Sequence, residues 1–214
     1  EIHPIGKKCS EIFEIYNDNI IEIGLTPNRS DAMSHLGVAR DLKAWCISNN
    51  INYSYKIPIV KEYKLGSNSS FKLNVESFET CPYYSGALIS NISVKPSPKW
   101  MQNYLRAIGI IPKNNIVDIT NYVMHELGQP LHAFDFSKIK EEIIVKTLPE
   151  NTKFTTLDGE VRKLSHEDLM ICDASKPLCI AGIYGGLDSG ISEKTKKIFL
   201  ECALFNPISI RKSS

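Results

Sequence analysis

The residues best suited to chemistry lie close together at positions 115–135, which read NIVDITNYVMHELGQPLHAFD. Asp118 is expected to cap a helix, because its carboxylate can accept hydrogen bonds from the free N–H groups of a first turn. That start places Thr120 and Asn121 in the first turn, where unpaired N–H groups favour an anionic or carbonyl oxygen nearby. A glycine stop and a polar loop then deliver His132. On its own the segment favours a capped helix beside a histidine with ordinary core hydrogen bonds, and the wall of a ligand pocket is the alternative.

A second unusual residue is Glu201, which interrupts the apolar run IFLECALF. A carboxylate is costly to bury unless it has partners. Two interpretations stay open: Glu201 faces solvent from an alternating strand, or it lies in a pocket and accepts a hydrogen bond from a hydroxyl group. In the second case a ligand without that hydroxyl leaves the buried acceptor unpaired and is penalised.

Composition limits the possible classes. The chain has 214 residues, 43% of them hydrophobic and 23% charged, with a formal net charge of +1. This is ordinary for a soluble globular protein, and it gives no global field for nucleic acid, although a local basic patch remains possible. Six cysteines without a C-x-x-C pair argue against a zinc site or a disulfide framework and favour a reducing compartment. No apolar run is long enough to span a bilayer.

Both ends of the sequence indicate a piece of a larger protein. The chain starts at Glu1 rather than at a methionine, and Asn206 and Pro207 open a helix close to the last residue. A natural short tail is the alternative.

Three helices are expected from apolar spacing and capping residues, at about 30–48, 97–109 and 118–127. Ser97 is expected to cap the second, and its cluster of Trp100, Met101 and Tyr104 is interpreted as core rather than as a stacking surface for RNA. In the third helix the positions 119, 123 and 127 predict the buried face, and Gly128 predicts the end. Arg29 and Asp31 are interpreted as a pair that stabilises a turn.

Most of the remaining chain has the short apolar runs and turn residues that are typical of strands. The predicted strands are 20–25, 55–63, 71–75, 83–92, 143–147, 168–172, 178–183 and 197–204. A hairpin at 152–164 turns at Asp158 and Gly159, and 66–70 is a flexible loop. The glycine-rich segment 182–190 lacks the pattern of a phosphate-binding loop and is interpreted as a tight turn with close backbone approach.

Five motifs follow one another along the chain: LTPNRSDA with HLGVAR at 25–40, VDITNYVMHELGQPLHAFD at 117–135, TTLDGE at 155–160, AGIYGGLDSGI at 181–191 and LECALFNPISIRK at 200–212. In this order they resemble the beta subunit of bacterial phenylalanyl-tRNA synthetases. The resemblance starts at about Asn19.

The resemblance implies a division into the end of a small helical domain, residues 1–50, and an editing domain, residues 51–214. It implies an α/β (α+β) fold of layered, mixed and largely antiparallel β-sheets packed with a few helices. The implied partners are tRNA(Phe) and the alpha subunit of a cytoplasmic α2β2 heterotetramer. ATP and Mg²⁺ are implied for the full enzyme, and no cofactor and no metal for this fragment. The implied activity is hydrolysis of mischarged tyrosyl-tRNA.

The family's site residues fall on named positions here. Its editing histidine matches His132, and its threonine–asparagine pair matches Thr120 and Asn121. The small wall of the family's pocket matches Ala181 and Gly182.

The acceptor for the tyrosine hydroxyl matches Glu201. Two alternatives remain: a scaffold with a degenerate pocket that supports tRNA docking and subunit assembly, and a free-standing editing protein. The segment TPNRSDA argues against the second, because it belongs to the synthetase context.

Overall fold

The computed structural model describes residues 5–12, 17–60, 66 and 70–214. The α-helices in these ranges are α1 (Cys9–Ile12), α2 (His35–Ser48), α3 (Lys99–Ala107), α4 (Asn115–Leu127) and α5 (Pro207–Ser213). The strands are β1 (Lys72–Val75), β2 (Tyr83–Ser90), β3 (His132–Asp135), β4 (Glu142–Thr147), β5 (Lys153–Thr155), β6 (Val161–Lys163), β7 (Leu169–Cys172), β8 (Pro177–Ile180), β9 (Tyr184–Gly185) and β10 (Lys197–Leu204). None of the described helices combines the length and apolar character needed to cross a membrane.

The strands form three sheets. A five-stranded sheet has the order β1-β4-β7-β8-β9, a three-stranded sheet has the order β2-β10-β3, and β5 pairs with β6 in a hairpin. Only the β1–β4 pair is parallel among the described strands; the other pairs are antiparallel. The expectation of mixed, largely antiparallel sheets with a few helices is therefore confirmed.

The sheets and helices stack in layers. The main core lies between the two larger sheets and includes Ile143 and Ile171 from one and Phe134 and Phe199 from the other. A second core packs the β5–β6 hairpin on the outer face of the five-stranded sheet. A third core packs α4, through Ile116, on the outer face of the three-stranded sheet.

Alternation along β10 decides which layer each of its side chains enters, because successive strand residues face opposite ways. Ile198 packs toward α4, and Phe199 packs into the core between the sheets. Glu201 is two residues after Phe199 and so points to the same side, into the inter-sheet layer. It is 6% exposed, which excludes the solvent-facing alternative.

The start of α4 was predicted wrongly. The helix begins at Asn115 and is capped by Asn114, whose side chain accepts hydrogen bonds from the N–H groups of residues 116 and 117. Thr120 and Asn121 therefore lie in the second turn, beyond the unpaired N–H groups. The predicted end is confirmed, because Gly128 takes a left-handed conformation with φ 82°.

The predicted buried face of α4 was also wrong. Ile119 and Leu127 are 44% and 40% exposed, whereas Ile116 and Asp118 are buried. Asp118 does not cap the helix: its carboxylate accepts from the Ser97 hydroxyl at 2.5 Å and from the Lys113 N–H at 2.8 Å. Compared with the prediction, α4 is rotated about its axis so that Ile116 and Asp118, rather than Ile119 and Leu127, face the protein interior.

The capping of α3 differs from the prediction for the same reason. Ser97 gives its hydroxyl to Asp118, and the N-cap position is taken by Pro98, without a side-chain hydrogen bond. The interpretation of this cluster as core is confirmed for Met101, which is 7% exposed. It was wrong for Trp100 and Tyr104, which are 50% and 46% exposed.

The N-terminal part of the described chain departs most from the prediction. Residues 20–25 form no strand, and 55–60 form none either; 61–63 lie outside the described residues. The predicted loop 66–70 is described only at residues 66 and 70. The Arg29–Asp31 pair is confirmed at 3.0 Å, and Arg29 also contacts Asp41 of α2 at 2.6 Å.

The C-terminal strands agree with the prediction to within a few residues. The hairpin turns at Asp158 and Gly159 as expected, and β10 has the predicted bounds. The segment 182–190 contains β9 and brings backbones close: a Cβ on Gly186 would lie 2.5 Å from the Leu178 carbonyl oxygen.

Candidate functional site

A cavity of about 650 Å³ opens at one end of the inter-sheet core. Its walls are the loop 128–131 after α4, the start of β3, residues 182–183 of the turn after β8, strand β9, the end of β10, and α5. His132, Gly182 and Glu201 line this cavity together. The fold thus brings three of the residues chosen from the sequence into one site.

Glu201 has few polar neighbours. Its Oε2 accepts a hydrogen bond from the Tyr84 hydroxyl at 2.7 Å, and no other hydrogen bond or ion pair to its side chain occurs in the described ranges. Burial raises the pKa of Glu201 to about 7, against the opposite effect of the Tyr84 hydrogen bond. Burial raises the pKa values of the Cys81 and Cys179 thiols, and the nearby Glu201 carboxylate raises them further.

His132 is the register partner of Glu201 across the β3–β10 pair. Its Nε2 is buried and has no hydrogen-bond partner among the residues that the structure describes. Burial lowers the pKa of His132 to about 4, so the ring is neutral at pH 7. The ring packs edge-on to Phe134 with centroids 4.4 Å apart, and a Cβ on Gly185 would lie 3.2 Å from its Cε1.

The imidazole is therefore fixed by apolar neighbours while Nε2 lacks a partner. Buried polar atoms are nearly always hydrogen-bonded in folded proteins. An unpaired one in a cavity wall fits a site that a ligand or a bound water completes.

Gly182 and Ala181 take different positions. Gly182 lines the cavity with φ 66°, and a Cβ there would approach the side chains of Phe205 and Ile210 to 3.1 Å. Ala181 is 0% exposed and belongs to the core between the sheets.

Thr120 and Asn121 are not among the residues that line the cavity. Both lie on α4, and the Thr120 hydroxyl donates to the Val117 carbonyl oxygen at 2.7 Å. In the chain they come before the loop 128–131, which forms part of the cavity wall and leads to His132.

Sequence reasoning did not select Cys179, Gly185 and Arg211, which line the cavity, or Tyr84, which does not line it but contacts Glu201. The alternation of β2 places Tyr84 on one face, but the β2–β10 register that brings it to Glu201 is a long-range pairing without a local signal. Arg211 follows from α5, whose predicted cap is confirmed: the Asn206 side chain accepts from the N–H groups of residues 208 and 209. Within the described ranges, no group of three or more His, Cys, Asp or Glu residues is placed to hold a metal ion.

Comparison with known proteins adds the family to this geometry. A family model described as the B3/4 domain matches residues 80–214, which include every residue of the cavity. The chain belongs to the B3/4 domain family.

Related proteins match this B3/4 chain over nearly all of its length. It is 49% identical over 211 residues to the phenylalanine–tRNA ligase beta subunit of Bacteroides thetaiotaomicron, covering 98% of this chain and 26% of the relative. The beta subunit of Porphyromonas gingivalis is 49% identical over 213 residues, with 99% and 26% covered. The resemblance predicted from the five motifs is confirmed, but its expected start at about Asn19 was wrong, because the match includes residues before Asn19. The chain spans about a quarter of the length of these relatives.

A solved structure shares the fold. A crystal structure of an N-terminal fragment of the phenylalanyl-tRNA synthetase beta subunit from Pyrococcus horikoshii aligns with a TM-score of 0.51 and 18% identity. The alignment covers 85% of this chain and 54% of that chain.

Proposed function

We propose that this chain hydrolyses the ester of tyrosyl-tRNA(Phe), the mischarged product of phenylalanine–tRNA ligase. One observation carries the proposal: the same cavity is lined by the buried carboxylate Glu201 and by His132, whose buried Nε2 has no hydrogen-bond partner among the described residues. The related beta subunits belong to an enzyme named for phenylalanine and tRNA, and tyrosine differs from phenylalanine by one hydroxyl group.

Glu201 selects for that hydroxyl. A carboxylate accepts a hydrogen bond from a phenol, and the phenylalanine ring offers none in its place. A site that is built to bind a hydroxyl can reject the analogue without it by a factor of about 10⁴. Gly182 leaves room for the ring, because it has no side chain at the cavity wall. Ala181 supports that wall from the core side.

Hydrolysis requires a water molecule on the ester carbonyl. The water oxygen bonds to the carbonyl carbon, the bond from that carbon to the ribose oxygen breaks, and the ribose hydroxyl leaves with a proton from the water. His132, neutral at pH 7, orients the water or the terminal ribose through Nε2. We propose catalysis by positioning rather than by a nucleophilic side chain.

Thr120 and Asn121 act more remotely in this proposal. They are polar residues of α4, the helix that precedes the loop leading to His132, and they help to position that loop. Replacing either by alanine is expected to slow deacylation less than His132→Ala does, because neither lines the cavity.

The wider context is proposed from the relatives. The chain acts within a beta subunit that pairs with an alpha subunit in a cytoplasmic α2β2 enzyme and binds tRNA(Phe). ATP and Mg²⁺ serve the charging reaction elsewhere in that enzyme, and the editing reaction uses no cofactor. We also propose that residues 1–50 end a small helical domain and that 51–214 form the editing domain.

The test follows deacylation of tyrosyl-tRNA(Phe) by the intact α2β2 enzyme, with phenylalanyl-tRNA(Phe) as the second substrate. Wild type is compared with Glu201→Ala and His132→Ala. The matched controls are Glu193→Gln and His166→Ala, which change an exposed carboxylate and an exposed imidazole.

We expect wild type and both controls to clear the tyrosyl ester and both cavity variants to lose most of this activity. If wild type clears it no faster than buffer does, the chain is a docking and assembly scaffold. If His132→Ala matches wild type, the positioning role assigned to His132 is wrong.

A further inference from the structure

The Tyr84–Glu201 hydrogen bond joins two strands at the back of the cavity. Tyr84 lies on β2 and pairs in register with Ala203, while Glu201 pairs with Gly86. Because Tyr84 and Gly86 point to the same side of β2, the Tyr84 side chain stands diagonally across from Glu201. It reaches Oε2 at 2.7 Å and is not among the residues that line the cavity.

This geometry divides the carboxylate into two halves. Oε2 is held by a phenol that belongs to the protein, and Oε1 accepts no hydrogen bond from the described residues. Glu201 itself is part of the cavity wall. A second phenol that enters the cavity can therefore bond to Oε1 without displacing the first.

We propose that Tyr84 is a positioning and specificity-determining residue: its hydroxyl holds Glu201 in place and keeps it in the acceptor form that selects the substrate phenol. This inference rests on the proposed function and adds a residue behind the one that touches the substrate.

The surroundings of Glu201 explain why such a partner matters. The groups that face it are Tyr84 from β2, His132 from β3, Cys179 from β8 and the thiol of Cys81. His132 is neutral, and the pKa values of both thiols are raised, so no cation among the described residues stabilises the carboxylate. The Tyr84 hydroxyl is the described group that favours the charged form.

Tyr84 is suited to this role because it stays protonated. Burial and the nearby carboxylate raise its pKa well above that of an ordinary tyrosine, so it donates throughout the neutral range. A protonated Glu201 would carry a proton of its own and lose its preference for accepting one. Loss of the Tyr84 hydroxyl therefore raises the pKa of Glu201 and weakens selection against phenylalanyl esters.

The experiment compares wild type, Tyr84→Phe and Tyr83→Phe in the intact enzyme. Tyr83 is the neighbouring tyrosine on β2 and is 61% exposed, so its loss controls for removing a phenol from this strand. The first readout is the infrared carbonyl band of protonated Glu201, followed against pH and identified by its loss in Glu201→Gln. The second is the pH dependence of the ratio of kcat/KM for tyrosyl and phenylalanyl esters.

We expect the infrared midpoint, near pH 7 in wild type and in Tyr83→Phe, to rise in Tyr84→Phe. A rise from about 7 to about 8 would lower the ionised fraction at pH 7 from one half to roughly one tenth, and the selectivity ratio about fivefold. The selectivity midpoint should move by the same amount. Ring fluorination of Tyr84, which makes the phenol a stronger donor at nearly constant size, should move both midpoints down.

An unchanged infrared midpoint in Tyr84→Phe overturns the inference whatever the activity. A shifted infrared midpoint with an unshifted selectivity profile also overturns it, because Tyr84 would then tune Glu201 without affecting specificity. Absence of tyrosyl-ester clearance in wild type is a different result and rejects the proposed function itself. If Tyr84→Phe does not fold, the protein with fluorinated Tyr84 provides the test. If its infrared and selectivity midpoints do not fall, the positioning role of Tyr84 is rejected.

Discussion

His132 and Glu201 are direct register partners on adjacent antiparallel strands, and their side chains share the face that looks into the inter-sheet cavity. Burial acts on them in opposite directions: it lowers the pKa of the imidazole to about 4 and raises the pKa of the carboxyl group to about 7. Both groups are therefore driven toward their neutral forms, because a buried charge without a partner is costly.

The first prediction is that these two groups give opposing dependences of stability on pH. The pKa of His132 is lower in the folded chain than the ordinary 6.5, so the unfolded chain binds more protons and His132 costs stability as pH falls from 6.5 toward 4. The pKa of Glu201 is higher than the ordinary 4.5, so Glu201 costs stability as pH rises from 4.5 toward 7.

Single substitutions should separate the two effects. When the pH is lowered from 7 to 5, the unfolding free energy of Glu201→Gln should fall by about 2 kcal/mol relative to wild type. That of His132→Gln should rise by about 2 kcal/mol relative to wild type over the same change. Urea unfolding at both pH values measures this, with the exposed Glu193→Gln as control. Parallel curves for wild type and the two variants would contradict the opposing shifts.

The second prediction concerns Gly86, the residue opposite Glu201 on β2. A Cβ there would lie 2.1 Å from Cζ of Phe199, whose ring is 2% exposed in the main core. Overpacking a core in this way costs about 1–3 kcal/mol. Gly86→Ala should therefore lower the urea midpoint, and Gly24→Ala, whose added Cβ meets nothing within 4 Å, should leave it nearly unchanged. Equal stability of the two variants would refute the close packing of Phe199 on β2.

The positions of most strands along the chain were accessible from the sequence, because short apolar runs and turn residues are local signals. Lys197–Leu204 and the Asp158–Gly159 hairpin are examples. The strand expected at 20–25 did not form. There Ile20 and Ile21 are 70% and 79% exposed, and they have no neighbouring strand to pair with among the described residues.

In the candidate site, too, the sequence indicated residues with a local signal and missed those that depend on long-range pairing. Glu201 and His132 stand out in the sequence, one as a charge in an apolar run and the other as a histidine after a helix end. The prediction that His132 lies in a polar loop was wrong, because it begins β3 and pairs with Glu201 on β10. Tyr84 does not, because its role depends on the register between β2 and β10, and these strands are far apart in the chain. The orientation of α4 was missed for a related reason: the Ser97–Asp118 hydrogen bond, a tertiary contact, replaces the expected caps of two helices.

The third prediction tests that hydrogen bond. Ser97 and Asp118 are 5% and 1% exposed, and the Asp118 carboxylate also accepts from the Lys113 N–H. Asp118→Ala leaves the buried Ser97 hydroxyl and the part-buried Lys113 N–H without their acceptor, and a buried unpaired donor costs about 1–3 kcal/mol. Asp118→Asn retains one oxygen and should fall between the alanine variant and wild type in urea unfolding. The exposed Asp188→Ala serves as control, and a loss no larger than the control's would show that the contact adds nothing to stability.

The last prediction separates tRNA binding from amino-acid selection within the proposed function. Arg211, on α5, lines the cavity and is exposed, so its guanidinium is available to a phosphate of the tRNA end that enters there. Phosphate contacts add affinity and salt dependence without reading chemical differences elsewhere in the ligand. Arg211→Ala should therefore raise KM about tenfold for tyrosyl and phenylalanyl esters alike and reduce the slope of log KM against log salt by about one. The selectivity ratio should stay at the wild-type value, in contrast to Glu201→Ala.

The matched control is Lys212→Ala, which removes an exposed cation that pairs with Glu167 and does not line the cavity. A change of selectivity in Arg211→Ala would mean that α5 contacts the amino acid rather than the tRNA backbone.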